Sequence, residues 1–110
     1  MSAYEGTKEF LRLWPDWALV IVACVQLAEE FGDFASSAAT NRAQRRGFIL
    51  VGLCDFGILQ RTGEHIHRGH NAIYRMPDRE GVKRALIEMG IDPNQKLPGD
   101  CFNLEHRKGL

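Results

Sequence analysis

The feature that most constrains the fold is an uncharged apolar stretch at residues 17–28, WALVIVACVQLA. Apolar residues recur there at intervals of three and four, which is the spacing of one buried face of an α-helix. The stretch is shorter than the ~20 apolar residues that a membrane-spanning helix needs. We therefore predict a core helix that is capped by Asp16 and ends at Gly32. Its buried face would consist of Trp17, Val20, Ile21, Cys24, Leu27, Ala28 and Phe31.

Cysteine usage and the segment before this helix bear on localisation. The residues IVAC, 21–24, resemble the box before the lipidated cysteine of bacterial lipoproteins. The acidic residues that precede them are unlike the basic start of a signal peptide, so a soluble helix explains the stretch better. The three cysteines are an odd number without CxxC spacing, which is typical of a reducing compartment. We expect a cytoplasmic protein without a membrane partner.

The length of 110 residues favours a single domain, and the charge is unevenly distributed along it. Residues 1–41 hold two basic and six acidic residues, a net charge of −4. Residues 42–75 hold six arginines and two acidic residues, a net charge of +4. The formal net charge of the whole chain is zero. A basic middle segment favours contact with a polyanion there.

Three further helices are predicted around the core helix. Residues 7–14 are predicted to form a short amphipathic turn or helix that stops at Trp14-Pro15. Asp33 caps a helix over residues 34–40, and a third helix with a basic first turn covers residues 41–56. Residues 48–53, FILVGL, could alternatively form a buried strand. Gly47 would suit a late start or a bend of the third helix.

A hairpin and a closing helix follow. Residues 57–67 and 72–76 have the composition of strands, and the RGHN between them is typical of a tight turn. Pro77 stops the second strand, and Asp78 caps a helix over residues 79–90. Its buried face would consist of Val82, Ala85, Leu86 and Met89. The tail, residues 91–110, is predicted to be irregular and to pack on the core or on a second subunit.

Two segments carry a resemblance to a known superfamily. LCDFGILQRTG, residues 53–63, resembles the passage from recognition helix to wing in winged helix-turn-helix proteins, and DFASSAATNRAQRR, residues 33–46, resembles their second helix, turn and third helix. The resemblance implies an α+β, mainly α fold with a two-stranded β-hairpin wing. It implies a winged-helix domain at residues 17–90, between an N-terminal segment, residues 1–16, and the C-terminal tail.

The resemblance also implies a DNA-binding surface. In such proteins the start of the recognition helix enters the major groove, where Arg pairs with guanine and Asn or Gln pairs with adenine. The wing tip follows the phosphate backbone. The residues that would contact DNA are Asn41, Arg42, Gln44, Arg45 and Arg46 on the helix and Arg61, His67, Arg68 and His70 on the wing.

The expected partner is double-stranded DNA, bound by a small transcriptional regulator that acts as a homodimer. Two-fold symmetry would double the small footprint of one domain on a palindromic site. Tyr4, Phe10 and Trp14, or else the tail, would supply the dimer contact. The alternative is a winged-helix module that docks on another protein and does not bind DNA, which the zero net charge and the acidic first 41 residues favour.

The stretch GEHIHRGHN, residues 63–71, raises a second possibility, a metal site. On a strand His65 and His67 would point to the same face, and His70 could supply a third ligand. The wing interpretation instead makes these histidines donors to phosphate. The sequence has no nucleophile beside a local base and no phosphate-binding glycine loop, so we expect neither an enzyme nor a cofactor.

Overall fold

The computed structural model of the chain describes residues 1–66 and 71–99. This part of the chain is α+β and mainly helical, as predicted, with a small antiparallel sheet. A 3-10 turn at Pro15–Trp17 separates the first two helices. In chain order the elements are α1 (Ala3–Leu13), α2 (Ala18–Phe31), β1 (Asp33–Ala35), α3 (Ser36–Ala43), α4 (Val51–Cys54), β2 (Gln60–Ile66), β3 (Asn71–Arg75) and α5 (Arg79–Glu88).

Helix α2 is the centre of the core. Its six consecutive residues from Val20 to Val25 are all fully buried, so the helix is covered on every side and not along one face alone. Gly32 ends it with a φ of 80°, as predicted, and donates its N–H to the Ala28 carbonyl at 2.9 Å. The predicted Asp16 cap is wrong, because the 3-10 turn places Trp17 at the N-cap without a side-chain hydrogen bond. Within residues 1–66 and 71–99, no helix has the length and apolar character needed to cross a membrane.

Helix α1 is longer than predicted and belongs to the same core. It begins at Ala3 because the Ser2 hydroxyl accepts the N–H of Glu5 at 3.2 Å, and it ends before Pro15 as expected. Phe10 and Leu11 are buried against the rest of the protein. At Gly6 the helix backbone touches the Phe56 carbonyl so closely that a Cβ atom would lie 1.7 Å from that oxygen.

The sheet has three strands where the sequence predicted two. Strands β2 and β3 form the predicted hairpin, with Arg61 opposite Tyr74 and a bulge between Arg61 and His65. The additional strand, β1, pairs with β3 through Phe34 and Tyr74, which gives the order β1-β3-β2. Asp33 is therefore extended and does not cap a helix, and α3 begins at Ser36 without a side-chain cap. The residues between β2 and β3 fall outside the described part of the chain.

The predicted third helix over residues 41–56 is wrong in its extent. Asn41 and Arg42 belong to the end of α3, which Gln44 terminates in the left-handed conformation with a φ of 55°. Gly47 also has a positive φ, and helical structure resumes only at Val51 for one turn. The late start that Gly47 suggested is thus observed, while the alternative buried strand over residues 48–53 is not.

Helix α5 and the start of the tail close the fold. The Asp78 carboxylate caps α5 as predicted and accepts the N–H of Gly81 at 3.0 Å. After α5 the chain is irregular but lies on the core: Leu97 is 1% exposed. The Gln26 amide donates to the carbonyl oxygens of Pro93 at 3.2 Å and Gln95 at 2.8 Å. Of the two predicted positions for the tail, residues 91–97 therefore take the one on the core.

Candidate nucleic-acid interface

Two adjacent depressions lie where α3, the loop before α4 and the hairpin meet. They share Thr40, and we call the surface around them the helix-turn surface. The smaller, of about 300 Å³, is lined by Thr40, Asn41, Gln44 and Arg46. The larger, of about 510 Å³, is lined by Ser36, Ser37, Thr40, Phe48, Ile49, Leu50, Val51, Arg61, Ala72 and Tyr74.

The turn between α3 and α4 positions the basic side chains. The N–H of Arg45 donates to the Thr40 carbonyl at 3.0 Å, which closes α3, and the left-handed Gln44 redirects the chain. Arg45 and Arg46 consequently lie in the turn and not at the start of a recognition helix, where the sequence placed them. Arg46 is exposed and Arg45 is half-buried, and neither forms an ion pair with a residue in the described ranges.

Arg42 is separated from these two arginines. Its guanidinium forms an ion pair with Glu30 of α2 at 2.7 Å, and its side chain is only 16% exposed. The prediction that one recognition helix carries Arg42, Arg45 and Arg46 is wrong, because α3 ends at Ala43, between Arg42 and Arg45. Arg42 connects α3 to α2 and lines neither depression.

The exposed side of the residues around α4 is apolar. Leu50 and Leu53 are buried, at 1% and 0% exposure, and hold this segment on the core. Ile49 and Val51 project outward, with 71% and 50% of their surface exposed. Neither the predicted helix over residues 41–56 nor the alternative buried strand over residues 48–53 indicated this exposed pair. The i,i+3 spacing of Leu50 and Leu53 is the signal that could have shown it.

The hairpin contributes Arg61 to the larger depression. Arg61 is exposed at the start of β2 and lies opposite Tyr74 of β3. Farther along, His65 pairs through its backbone with Ala72. His67, Arg68 and His70 lie outside the described residues, so their assignment to DNA or to a metal stays a prediction. Among the residues that are described, no three potential metal-ligating side chains lie together.

The thiols in this part of the molecule are not activated. Burial raises the pKa of the Cys54 thiol, and burial likewise raises the pKa of Cys24 in α2. A thiol with a raised pKa is protonated at neutral pH and is a poor nucleophile. No cysteine is among the residues that line the two depressions of the helix-turn surface. These residues supply hydroxyl groups, amides, guanidinium groups and apolar side chains.

The aromatic residues proposed for a dimer contact occupy different positions. Phe10 is 4% exposed, and its ring centroid lies 5.1 Å from that of Phe56 inside the protein. Tyr4 is half-buried beneath Arg84, whose guanidinium carbon lies 4.5 Å from the ring centroid. Trp14 is 46% exposed. Of these three aromatic residues, Trp14 offers the most surface to a second subunit.

Comparisons with known proteins do not assign this chain to a family. No family model matches the sequence, and neither a curated protein nor a solved structure shows significant similarity to it.

Proposed function

We propose that this chain is a winged-helix protein that binds duplex DNA through the helix-turn surface and acts as a small homodimeric transcriptional regulator. The observation that carries the proposal is the larger depression, which joins α3, the segment before α4 and both hairpin strands in one surface. Strand β1 explains this arrangement: it leads directly into α3 and pairs with β3, so it fixes α3 beside the hairpin. Helix, turn, helix and wing then face one ligand.

The distribution of charge supports a polyanionic ligand. Arg46 lines the smaller depression and Arg61 the larger one, so each of the two depressions that share Thr40 contains a cation. Arg45 lies next to Arg46 in the same turn. Guanidinium groups form charge-assisted hydrogen bonds with phosphate oxygens. Such contacts position a protein on the duplex and supply its non-specific affinity.

The salt dependence of duplex binding tests the proposal. Short duplexes of mixed sequence should shift on a gel at ~50 mM salt, and the apparent affinity should fall steeply as salt rises. The logarithm of the affinity falls with the logarithm of the salt concentration, so the slope is negative. Replacing both Arg45 and Arg46 with Ala should make this slope less steep by about 2, because two phosphate contacts are lost. Absence of any shift at low salt would refute the proposal.

A variant with the same loss of charge controls for net charge. Arg12 and Arg84 are exposed residues of α1 and α5 and line neither depression. The variant Arg12→Ala/Arg84→Ala should keep the salt slope of the unchanged protein. An equal fall in both double variants would mean that overall charge, and not the helix-turn surface, governs binding.

The exposed apolar pair Ile49 and Val51 supports a second candidate, a module that docks on another protein. Large exposed apolar groups are common where proteins associate. The acidic first 41 residues, with a net charge of −4, also fit a surface that does not approach DNA. This candidate predicts that no duplex is bound at low salt, so the same gel separates the two functions.

A further inference from the structure

The larger depression of the helix-turn surface combines exposed apolar side chains with a basic one. Ile49 and Val51 project from a segment that Leu50 and Leu53 anchor in the core. The hydroxyl-bearing residues Ser36, Ser37 and Thr40 line the same depression on the α3 side. The depression therefore offers a ligand two exposed branched aliphatic side chains, which have no hydrogen-bonding atoms, beside these hydroxyl groups.

The major groove of DNA offers few partners for such side chains. Most groups on the base edges are hydrogen-bond donors or acceptors, and the apolar group among them is the 5-methyl group of thymine. An aliphatic side chain pressed against guanine, cytosine or adenine would bury polar edge atoms without replacing their hydrogen bonds to water. Against thymine it would instead bury apolar surface on both partners.

Charge complementarity identifies the ligand of this apolar patch. Arg61 lines the same depression as Ile49 and Val51, and Arg46 lines the adjacent depression, which shares Thr40 with it. A protein partner would need carboxylates placed for both guanidinium groups in addition to an apolar side chain. The major groove, in contrast, presents methyl groups between two phosphate backbones. The apolar pair Ile49 and Val51 and the two nearby arginines therefore match a major groove that contains thymine.

We infer that Ile49 and Val51 recognise the 5-methyl groups of pyrimidines in the major groove, so that the protein prefers duplexes rich in thymine. This inference rests on the proposed function and names the feature of DNA that the helix-turn surface selects. Each methyl group contacted should raise the affinity about fourfold, the factor that corresponds to ~0.8 kcal/mol per buried methylene-sized group.

Removal of the methyl group from the DNA tests the inference directly. Four duplexes of equal length would be compared at ~50 mM salt: alternating dA-dT, the same duplex with deoxyuridine for thymidine, alternating dG-dC, and the same duplex with 5-methylcytosine for cytosine. The thymine duplex should bind at least about fourfold more tightly than the uracil duplex. The 5-methylcytosine duplex should likewise bind more tightly than its unmethylated counterpart.

Variants then assign the effect to the two residues. Both side chains are exposed, so Ile49→Ser/Val51→Ser, which removes every γ-methyl group, should fold as the unchanged protein does, and a melting curve checks this. This variant should bind thymine and uracil duplexes equally while keeping the salt slope. Ile87→Ser, at an apolar residue of α5 that is 61% exposed, is the matched control and should keep the preference.

The possible outcomes are distinguishable. Equal binding of thymine and uracil duplexes by the unchanged protein would overturn the inference and leave the proposed function standing. A thymine preference that survives in Ile49→Ser/Val51→Ser would also overturn it, since other side chains would then recognise the methyl group. Failure to bind any of the four duplexes would overturn both the inference and the proposed function, and would favour the protein-docking alternative.

Discussion

The α1–α2–α5 region is closely packed, whereas the helix-turn surface has exposed side chains around an irregular turn. In the first, consecutive residues of α2 are fully buried, and the backbone of α1 at Gly6 lies directly against the Phe56 carbonyl. In the second, two consecutive helices are separated by residues with positive φ, Gln44 and Gly47, and Ile49 is 71% exposed. The first region therefore supplies most of the buried contacts, while the second leaves side chains exposed, and we propose that these bind a ligand.

An aromatic cluster illustrates how the packed region is held. The Phe10 ring lies near three other rings, with centroid distances of 4.9 Å to Trp14, 5.2 Å to Trp17 and 5.1 Å to Phe56. The pairs with Trp17 and Phe56 are edge-to-face, and each such pair stabilises a protein by about 0.5–1.5 kcal/mol beyond the burial of its area. Substitutions in this region should therefore change the melting temperature, and substitutions on the helix-turn surface should change binding.

The largest effect on stability is expected from Gly6→Ala. The new methyl group would lie 1.7 Å from a backbone oxygen, so α1 must move away from the Phe56 turn. Overpacking in a core costs about 1–3 kcal/mol, and we expect about 3 kcal/mol or more here because the obstacle is backbone. Thermal unfolding measures the loss. A melting temperature within a degree of that of the unchanged protein would show that α1 is not tightly held.

Gly52→Ala is the matched control outside the closely packed α1–α2–α5 region. Gly52 lies in α4, and a Cβ atom there would meet no atom within 4 Å. The substitution should stabilise the fold by about 0.5–1 kcal/mol, because alanine favours a helix more than glycine does. A destabilised Gly52→Ala protein would contradict the open environment that the structure gives to α4.

An intermediate effect is expected for Arg42→Met, at the contact between the two regions. The substitution removes the ion pair with Glu30, whose carboxylate is 51% exposed, and keeps the aliphatic part of the side chain. A partly exposed pair contributes up to ~1 kcal/mol, which would lower the melting temperature by about 4 °C. Duplex affinity should fall less than in Arg46→Ala. An equal fall would place Arg42 on the binding surface, as the sequence analysis proposed.

The smallest effect concerns Glu88 at the contact of α1 with α5. Hydrogen bonds from the Tyr4 hydroxyl and from Lys8 hold the pKa of this carboxyl below its usual range. A lowered folded-state pKa means that the stabilisation is present above the ordinary carboxyl pKa and is lost as the pH falls through the lowered value. Tyr4→Phe should raise the pKa of Glu88, which an NMR titration measures.

The melting temperatures give a second check on the same contact. Tyr4→Phe should melt slightly below the unchanged protein at neutral pH, and the difference should shrink as Glu88 becomes protonated in acid. Tyr4→Phe keeps the aromatic ring beneath Arg84, so the comparison isolates the hydroxyl group. A difference that is the same at neutral and acidic pH would show that the hydrogen bond to Glu88 is not its cause.

Local signals predicted much of the packed region, although Phe31, which was predicted on the buried face of α2, is 67% exposed. The periodic apolar residues of α2, the glycine that ends it and the Asp78 cap of α5 act within one or two turns of the chain. The hairpin also follows from composition and a turn between neighbouring segments. These features depend on neighbours in sequence, and their energies do not require knowledge of the rest of the fold.

The helix-turn surface was predicted less well, since distant contacts shape it. Asp33–Ala35 has the sequence of a helix start, yet it forms a strand because β3, about forty residues later, offers it an unpaired edge. Arg42 is of a residue type that often contacts DNA, yet it forms an ion pair with Glu30 of α2. Nothing local distinguishes a free arginine from one that a neighbouring helix neutralises.

The sequence by itself determined that the chain is mainly helical, that residues 18–31 form a core helix and that a hairpin precedes the last helix. Hydrophobic periodicity, capping residues and turn composition suffice for these features, because each is an interaction between near neighbours. The tertiary structure was needed to find the third strand, the break of the helix at Gln44 and the outward direction of Ile49 and Val51. Those depend on which surfaces meet in the folded chain, and packing there outweighs the weak local preference for a continuous helix.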